Sequence, residues 1–313
     1  MTIAFGPIPS RRLGRSLGIN NIPPKSCSYS CLYCQVGATL CTTVVPQAFY
    51  QPEKIREAIE LQLEKVRGLN ESVDYLTFVP DGEPGLDINL GKSIELLRPL
   101  GIPIAIISNA SLLWLKEVRA AIGKADWVSV KVDSVEDNIW KRLNRPHETL
   151  QLSVVLDGIR SFAQEFAGEL VTETMLVEGV NDNLDSVART AGFLDDLRIT
   201  QAYLSIPTRP PAELTVRRPA EAVVNSAYQL LASRIPKVEY LIGYEGDAFA
   251  FSGDIHHDLL SITAVHPMRE SAVRTLLGKA QAGWQVVEQL MAEGKLVETE
   301  YESERFYMRR FSK

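Results

Sequence analysis

The sequence predicts an α/β fold: six strand–helix units forming a partial or full (βα)6 barrel of the TIM type, followed by a small C-terminal domain of winged-helix character. Three observations predict it. Strand-length apolar runs alternate with runs of amphipathic helical spacing, which calls for parallel strands and crossover helices. The residues of unusual chemistry fall just after the strand-like runs, where α/β barrels assemble their sites. From residue 253 the alternation gives way to short helices and a hairpin.

Taken in order, strands are expected over 16–22, 73–79, 102–108, 127–133, 170–177 and 201–206. The helical run 52–67 carries Ile55, Ile59, Leu63 and Val66 on one stripe, with Pro52 in the first turn where a missing N–H is harmless. Runs 89–97, 112–122, 150–166, 183–197 and 219–235 repeat that spacing. A cysteine loop follows the first strand, Asp81-Gly82-Glu83-Pro84 the second and Ser108-Asn109 the third. Asp133 ends the fourth, Glu178-Gly179-Val180-Asn181-Asp182 follows the fifth, and Pro207-Thr208-Arg209 the sixth. A barrel domain is therefore expected over 1–245. In the domain at 253–313, helices are expected over 258–265, 269–278 and 284–292, the last stopped by Gly294. Strands over 295–300 and 305–311 then form a hairpin around Ser303.

A chain of 313 residues allows about two domains. With 45% hydrophobic and 23% charged residues it is neither disordered nor collagen-like. No apolar run approaches the ~18 residues of a membrane span, and Met1 to Ser10 lacks the basic flank and apolar stretch of a signal peptide. Four cysteines are too few for a secreted disulfide scaffold, so a cytoplasmic protein is expected. The net charge of −6 argues against nonspecific binding to nucleic acid or membrane. The tail holds eight basic against nine acidic residues, and 284–293 contains no Lys or Arg. A recognition helix needs such residues to neutralise phosphates, so DNA binding is not expected and the tail reads as a module that docks protein or peptide, or that simply packs against the barrel.

All four cysteines lie between 27 and 41, and Cys27, Cys31 and Cys34 spell CxxxCxxC with aromatic Tyr33 just before the third. Thiolates clustered in one loop suit a soft metal or an iron–sulfur cluster. A structural zinc site usually draws on a separate second pair, which is missing here. Three ligands would leave one iron of a [4Fe–4S] cube open to another group. Cys41 is expected to be a small buried residue rather than a fourth ligand.

The cysteine motif, joined to a Gly-Glu-Pro turn after the next strand, resembles the radical SAM superfamily in motif order across 16–240. The opening Phe5-Gly-Pro-Ile-Pro-Ser-Arg-Arg-Leu-Gly-Arg-Ser-Leu-Gly18 resembles a subgroup of iron–sulfur oxidoreductase-like proteins related to the wybutosine-forming tRNA enzymes. The resemblance implies that Cys27, Cys31 and Cys34 hold a [4Fe–4S] cluster whose open iron takes the amine and carboxylate of S-adenosylmethionine (SAM). An electron from a flavodoxin- or ferredoxin-like reductant then splits SAM into methionine and a 5′-deoxyadenosyl radical, which abstracts hydrogen from a substrate. It further implies that Gly82 and Glu83 receive the SAM amino group, with Asp81 standing where the family has glycine. Asp133 is the implied ribose contact, and Lys131 and Asn109 serve the carboxylate and nearby polar groups. Tyr33, Met175, Val177 and Ile206 are the implied surroundings of adenine.

Plainer readings stand beside these. The cysteines suit a structural metal knuckle, 82–84 an ordinary turn, and Asp133 and Asn109 helix caps. Arg11, Arg12 and Arg209 are each ordinary surface cations taken singly, and together they suit an anionic group on the substrate. Two functions stay open: a radical SAM enzyme acting on a tRNA base, a peptide, a protein or a metabolite, and an iron–sulfur redox or iron-sensing regulator whose tail engages a partner.

Overall fold

The computed structural model of the chain describes residues 2–69, 71–243, 246–247 and 249–310. Of the positions named above, Met1, the domain end at 245 and the 311–313 end of the chain lie outside them. The chain opens with an antiparallel pair, β1 (Ala4–Ser10) and β2 (Gly14–Ile19). Two short strands, β3 (Ser26–Cys27) and β4 (Cys41–Thr42), then pair parallel at either end of the cysteine loop. Strand and helix alternate from there: α1 (Pro52–Gly68), β5 (Tyr75–Phe78), α2 (Leu90–Leu97), β6 (Ile104–Ser108), α3 (Lys116–Ile122) and β7 (Trp127–Lys131). After α4 (Asp137–Asn144) and α5 (Leu152–Glu165) come β8 (Glu169–Met175), α6 (Leu184–Asp195), β9 (Gln201–Ser205), α7 (Glu221–Ala232) and β10 (Val238–Leu241).

An 8-stranded sheet runs in the order β1-β2-β5-β6-β7-β8-β9-β10 and is parallel from β2 onward. Its edges are β1 and β10, and no pairing joins them among the described residues. The strands expected from sequence are β2 and β5 through β9, each somewhat shorter than expected; β1 and β10 are additional. β1 escapes a sequence reading because Pro7 and Pro9 cannot donate to a ladder, which an edge position tolerates. The short helix α4 is also additional, while α3 begins only at Lys116 because 111–114 form turns.

Strand alternation sorts the side chains. Leu76, Phe78, Ile104, Ile106, Val128, Val130 and Leu204 face the helices and form the main core with Ile55, Ile59 and Leu63 of α1. On the opposite face Ala105, Trp127, Val171, Tyr203 and Leu241 cluster with Leu13 from the β1–β2 turn.

The C-terminal elements are α8 (Ile255–Ile262), β11 (Met268–Arg269), α9 (Glu270–Lys279), α10 (Gln285–Ala292), β12 (Leu296–Tyr301) and β13 (Glu304–Arg309), with sheet order β11-β13-β12. α8 begins earlier than expected because Asp254 accepts the His257 N–H at 3.1 Å and caps it. A second core here includes Phe249, Leu259, Met268, Val273, Leu276, Val287 and Tyr307, and it takes in Phe5 and Ile8 of β1.

Gly158 lets α5 press onto the 113–114 backbone: a Cβ there would stand 2.4 Å from Trp114 N and 2.6 Å from Leu113 C. Alanine gains about 1 kcal/mol of helix propensity, but a clash against main chain costs about 1–3 kcal/mol. Gly158→Ala is expected to lower the unfolding free energy by about 1 kcal/mol net; a variant as stable as the parent in thermal denaturation contradicts this packing.

Candidate active site

The cysteine loop has little regular structure, so other loops satisfy its backbone. Lys25 N–H donates to Asp81 O at 2.7 Å and Glu83 N–H to Ser26 O at 3.1 Å, which fastens the loop's start to the 81–83 turn. Ser30 N–H reaches Asn144 O at 3.1 Å, Leu32 N–H reaches Leu143 O at 2.9 Å, and His147 N–H reaches Ser28 O at 2.9 Å. The loop is thus held by the end of α4. Cys27, Cys31 and Cys34 are half-buried with free thiols. Burial pushes all three thiols up, Cys31 to about 12; Glu83 and Cys31 add to the rise at Cys27, and Cys34 to that at Cys31. Thiols so placed ionise readily only beside positive charge, which bound metal supplies. Among the described residues, no three His, Cys, Asp or Glu side chains are arranged to hold a single metal ion. Cys41, expected to be buried, is exposed: β4 lies at the outer rim of the loop.

A cavity of about 290 Å³ opens at the strand ends, near the lower limit of small-molecule pockets (~300–1,000 Å³). The three cysteines line it together with Tyr33, Gly82, Asn109, Lys131, Met175, Ile206, Arg11, Arg12 and Arg209. Glu83 and Asp133 are not among its lining residues, and Val177 lies buried beside Tyr33 and Met175 in a small apolar cluster.

Gly82 is required by space, since a Cβ there would lie 1.9 Å from Ser26 O. Asp81 needs no glycine backbone; it forms a buried ion pair with Lys25 at 3.3 Å, and burial still lifts its carboxyl to about 6. Glu83 lies buried behind the cavity lining. Its carboxylate accepts from Gly85 N–H at 2.9 Å, Ser108 Oγ at 2.8 Å and Asn109 N–H at 2.8 Å, so it ties the turn to the end of β6. Burial pushes this carboxyl up to about 7 despite those bonds. Asn109 Oδ1 accepts from Ser111 N–H at 3.0 Å, and its amide donates to Ser28 Oγ at 2.9 Å and to Cys27 Sγ at 3.4 Å. It caps no helix.

Asp133 does not cap α4 either, because that start falls at Glu136 and Ser134 Oγ receives the Glu136 N–H. Asp133 Oδ1 accepts from Met175 N–H at 2.9 Å, and Oδ2 accepts from Asn144 Nδ2 at 2.7 Å and from the Tyr33 hydroxyl. Lys131 Nζ lies 3.1 Å from Glu173 Oε1, 3.8 Å from Asp133 Oδ1 and 4.9 Å from the Tyr33 ring centre. Burial opposes its charge, but Asp133 and Glu173 prevail and hold its pKa above the usual lysine value.

Arg12 is not at the cavity mouth. It lies on the floor, 2.7 Å from Glu173 Oε2 and 3.4 Å from Ser129 Oγ, near the rings of Trp127 and Tyr203. Arg209 is at the mouth, where it donates to Gln35 Oε1 at 2.7 Å, while Gln35 reaches Val265 O at 3.5 Å. Val265 therefore brings the C-terminal unit into the cavity wall. His266 next to it packs edge-on to Phe249, with its pKa driven well down by burial and then by Arg209.

Sequence reasoning missed Glu173, Asn144 and Lys25. Glu173 had a readable signal, being the one charge inside a strand whose residues after Glu169 are otherwise apolar or hydroxyl, where burial demands a partner. Asn144 and Lys25 had none, because contacts distant in sequence define them.

The sequence matches the Radical SAM superfamily over residues 21–191, more than half of the chain. A UPF0026 protein of Methanocaldococcus jannaschii is 46% identical over 311 residues, spanning 99% of this chain and 96% of that one. A UPF0026 protein of Helicobacter pylori is 32% identical over 211 residues, 66% of this chain and 67% of its own. A radical SAM methyltransferase from Sphaerobacter thermophilus aligns at a TM-score of 0.55 and 14% identity, over 72% of this chain and 66% of that one. Streptococcus suis SuiB bound to S-adenosylmethionine aligns at 0.52 and 11% identity, over 71% of this chain and 49% of that one. At such identities these two structures share the fold alone.

Against the cost of burial, Lys131 and Arg12 hold the Glu173 carboxyl down at about 2, compared with ~4.3 in an unfolded chain. A depressed carboxyl stabilises the fold above the unfolded value, and that contribution is lost as pH falls from ~4.3 toward 2. Glu173→Gln is expected to cost about 3 kcal/mol at pH 7, by taking the carboxylate from Arg12 and leaving Lys131 with Asp133 alone. Denaturant titrations of both proteins across pH should show the gap closing in acid; a constant gap contradicts the pairing.

Proposed function

This chain belongs to the radical SAM superfamily, and from that premise we propose that it cleaves SAM reductively at a [4Fe–4S] cluster held by Cys27, Cys31 and Cys34. Enzymes of this superfamily use that cluster and that cosubstrate. The observation that carries the reading is the gathering of the three cysteines, from one loop, with Gly82, Asn109, Lys131, Met175 and Ile206, from successive strand ends, around one cavity. Three thiols brought to one cavity and pushed up by burial fit a polynuclear cationic group. When bound, the cluster and SAM supply a 5′-deoxyadenosyl radical that abstracts hydrogen from a substrate C–H bond.

The chain's own groups have distinct tasks in this reading. Gly82 offers main-chain atoms to the SAM amino group where no side chain can stand, and Glu83 acts from behind by bracing that turn. Lys131, kept protonated by Asp133 and Glu173, presents a cation to the carboxylate. Asp133 reaches a ribose hydroxyl by exchanging one of its bonds from Tyr33 or Asn144. Tyr33, Met175 and Ile206, with Val177 behind, form the adenine side. Val36, Val79, Ile107 and Val265 give apolar wall that excludes water.

The substrate carries an anionic group met by Arg11 and Arg209, while Arg12 is taken up by its ion pair with Glu173 at the floor. A peptide, a protein, a tRNA base or a metabolite fits that requirement. We read 1–245 as the barrel domain and 253–313 as a winged-helix-like docking module rather than a DNA reader, since α10 carries no Lys or Arg. The electron donor is a flavodoxin- or ferredoxin-like protein and the setting the cytoplasm; among the described residues no helix is long and apolar enough to cross a membrane. The enzyme reading takes precedence over the regulator because the matched family is one of SAM-cleaving enzymes.

Anaerobic reconstitution with iron and sulfide, then incubation with SAM and dithionite, is expected to yield 5′-deoxyadenosine and methionine, and a Cys31→Ala variant is expected to yield neither. Intact SAM from a fully loaded wild-type protein sinks the reading.

A further inference from the structure

Two of the three cysteine sulfurs each face one side-chain amide. Asn109 Nδ2 lies 3.4 Å from Cys27 Sγ, and Asn144 Nδ2 lies 3.5 Å from Cys31 Sγ. These are contact distances for an N–H donating to sulfur, whose radius exceeds that of oxygen. Both amides are locked in place. Asn109 is fixed through its N–H to Glu83 Oε2 at 2.8 Å, through Oδ1 to Ser111 N–H at 3.0 Å, and through Nδ2 to Ser28 Oγ at 2.9 Å. Asn144 ends α4 and is only 3% exposed; besides Cys31 its Nδ2 faces Asp133 Oδ2 at 2.7 Å and the Tyr33 hydroxyl oxygen at 3.2 Å.

We infer that Asn109 and Asn144 are positioning residues that raise the reduction potential of the cluster; this rests on the reading that the three cysteines hold it. A donor to a thiolate sulfur withdraws electron density and stabilises the reduced, more negative cluster more than the oxidised one. The surroundings make such donors useful. Basic side chains outnumber carboxylates around the cavity as a whole, but the two sulfurs in question each lie near a carboxyl behind its wall, Cys27 near Glu83 and Cys31 near Asp133, so an added electron beside them meets local negative charge. Neutral amides offset that repulsion without an added charge to bury.

Asn144 has a second property. Its amide has two protons and faces three acceptors: Cys31 Sγ, Asp133 Oδ2 and the Tyr33 oxygen. A ligand that takes over Asp133 releases a proton toward Cys31, so occupancy of the nucleotide side strengthens the bond to sulfur and eases reduction.

The test is EPR-monitored potentiometric titration of anaerobically reconstituted wild type, Asn109→Ala, Asn144→Leu and the double variant, without SAM and then with it. Iron and sulfide content are measured on each sample. Each single variant is expected to titrate at a more negative midpoint than wild type at equal iron content, and the double variant lower still, because the amides act on different sulfurs. At saturating SAM, the shift that SAM causes in wild type is expected to shrink in Asn144→Leu. If Asn144→Leu does not fold, Asn144→Ser and Asn109→Ala carry the measurement, the latter from a half-buried loop position. Lowered iron content with an unmoved midpoint in the clusters that do form indicates a purely structural role and overturns the inference, as does an upward shift. A wild type that takes up no cluster through its three cysteines overturns the proposed function itself, and the inference with it.

Discussion

The structure depends on holding an irregular loop of three half-buried thiols in one place. Regular secondary structure does none of this, because β3 and β4 contribute only two residue pairs. Main-chain bonds from neighbouring loops do it instead: the 81–83 turn fastens Lys25 and Ser26, and the end of α4 fastens Ser28, Ser30 and Leu32. Several residues at these junctions adopt left-handed backbone that is uncommon outside glycine: Lys25 at φ 61°, Ala110 at φ 63° and Arg145 at φ 44°. Such conformations persist where the surroundings over-determine them, and they mark functional sites more often than not.

Charge is apportioned around the same loop by local partners rather than by depth. Glu83 and Glu173 are both buried, yet the first is pushed up to about 7 and the second held down at about 2. Glu83 accepts bonds from neutral donors only, whereas Glu173 lies between Arg12 and Lys131. Neutral hydrogen bonds offset desolvation in part; two cations reverse it. The result is a turn braced by a carboxyl that can lose its charge near neutrality, above a floor whose carboxylate stays charged.

Much of this was legible in the sequence, for reasons that can be stated. The strands β5 to β9 are apolar runs between helices of clear stripe, so their order and the place of each chemical residue after a strand follow directly. The triplet of cysteines and the turn at Gly82 lie in local motifs, which is why their common cavity could be expected. What could not be read depends on contacts across the chain. Arg12 looked like a mouth residue by its distance from the cysteines in sequence, and the β1–β2 turn carries it under the cavity to Glu173. Asn144 looked like an ordinary polar residue until a short, unexpected helix delivered it to Cys31 and Asp133. Cys41 looked buried by type, and its rim position exposes it.

The second core has a bearing on how the sheet behaves as an object in solution. Phe5 and Ile8 of the edge strand pack into it, and Ala250 N–H donates to Pro7 O at 3.3 Å. The C-terminal unit thus works as a cover over an edge that would otherwise recruit strands from other molecules. Trimming the gene to stop before α8 would bare that edge, and the shortened product would face self-association before any question of turnover arose.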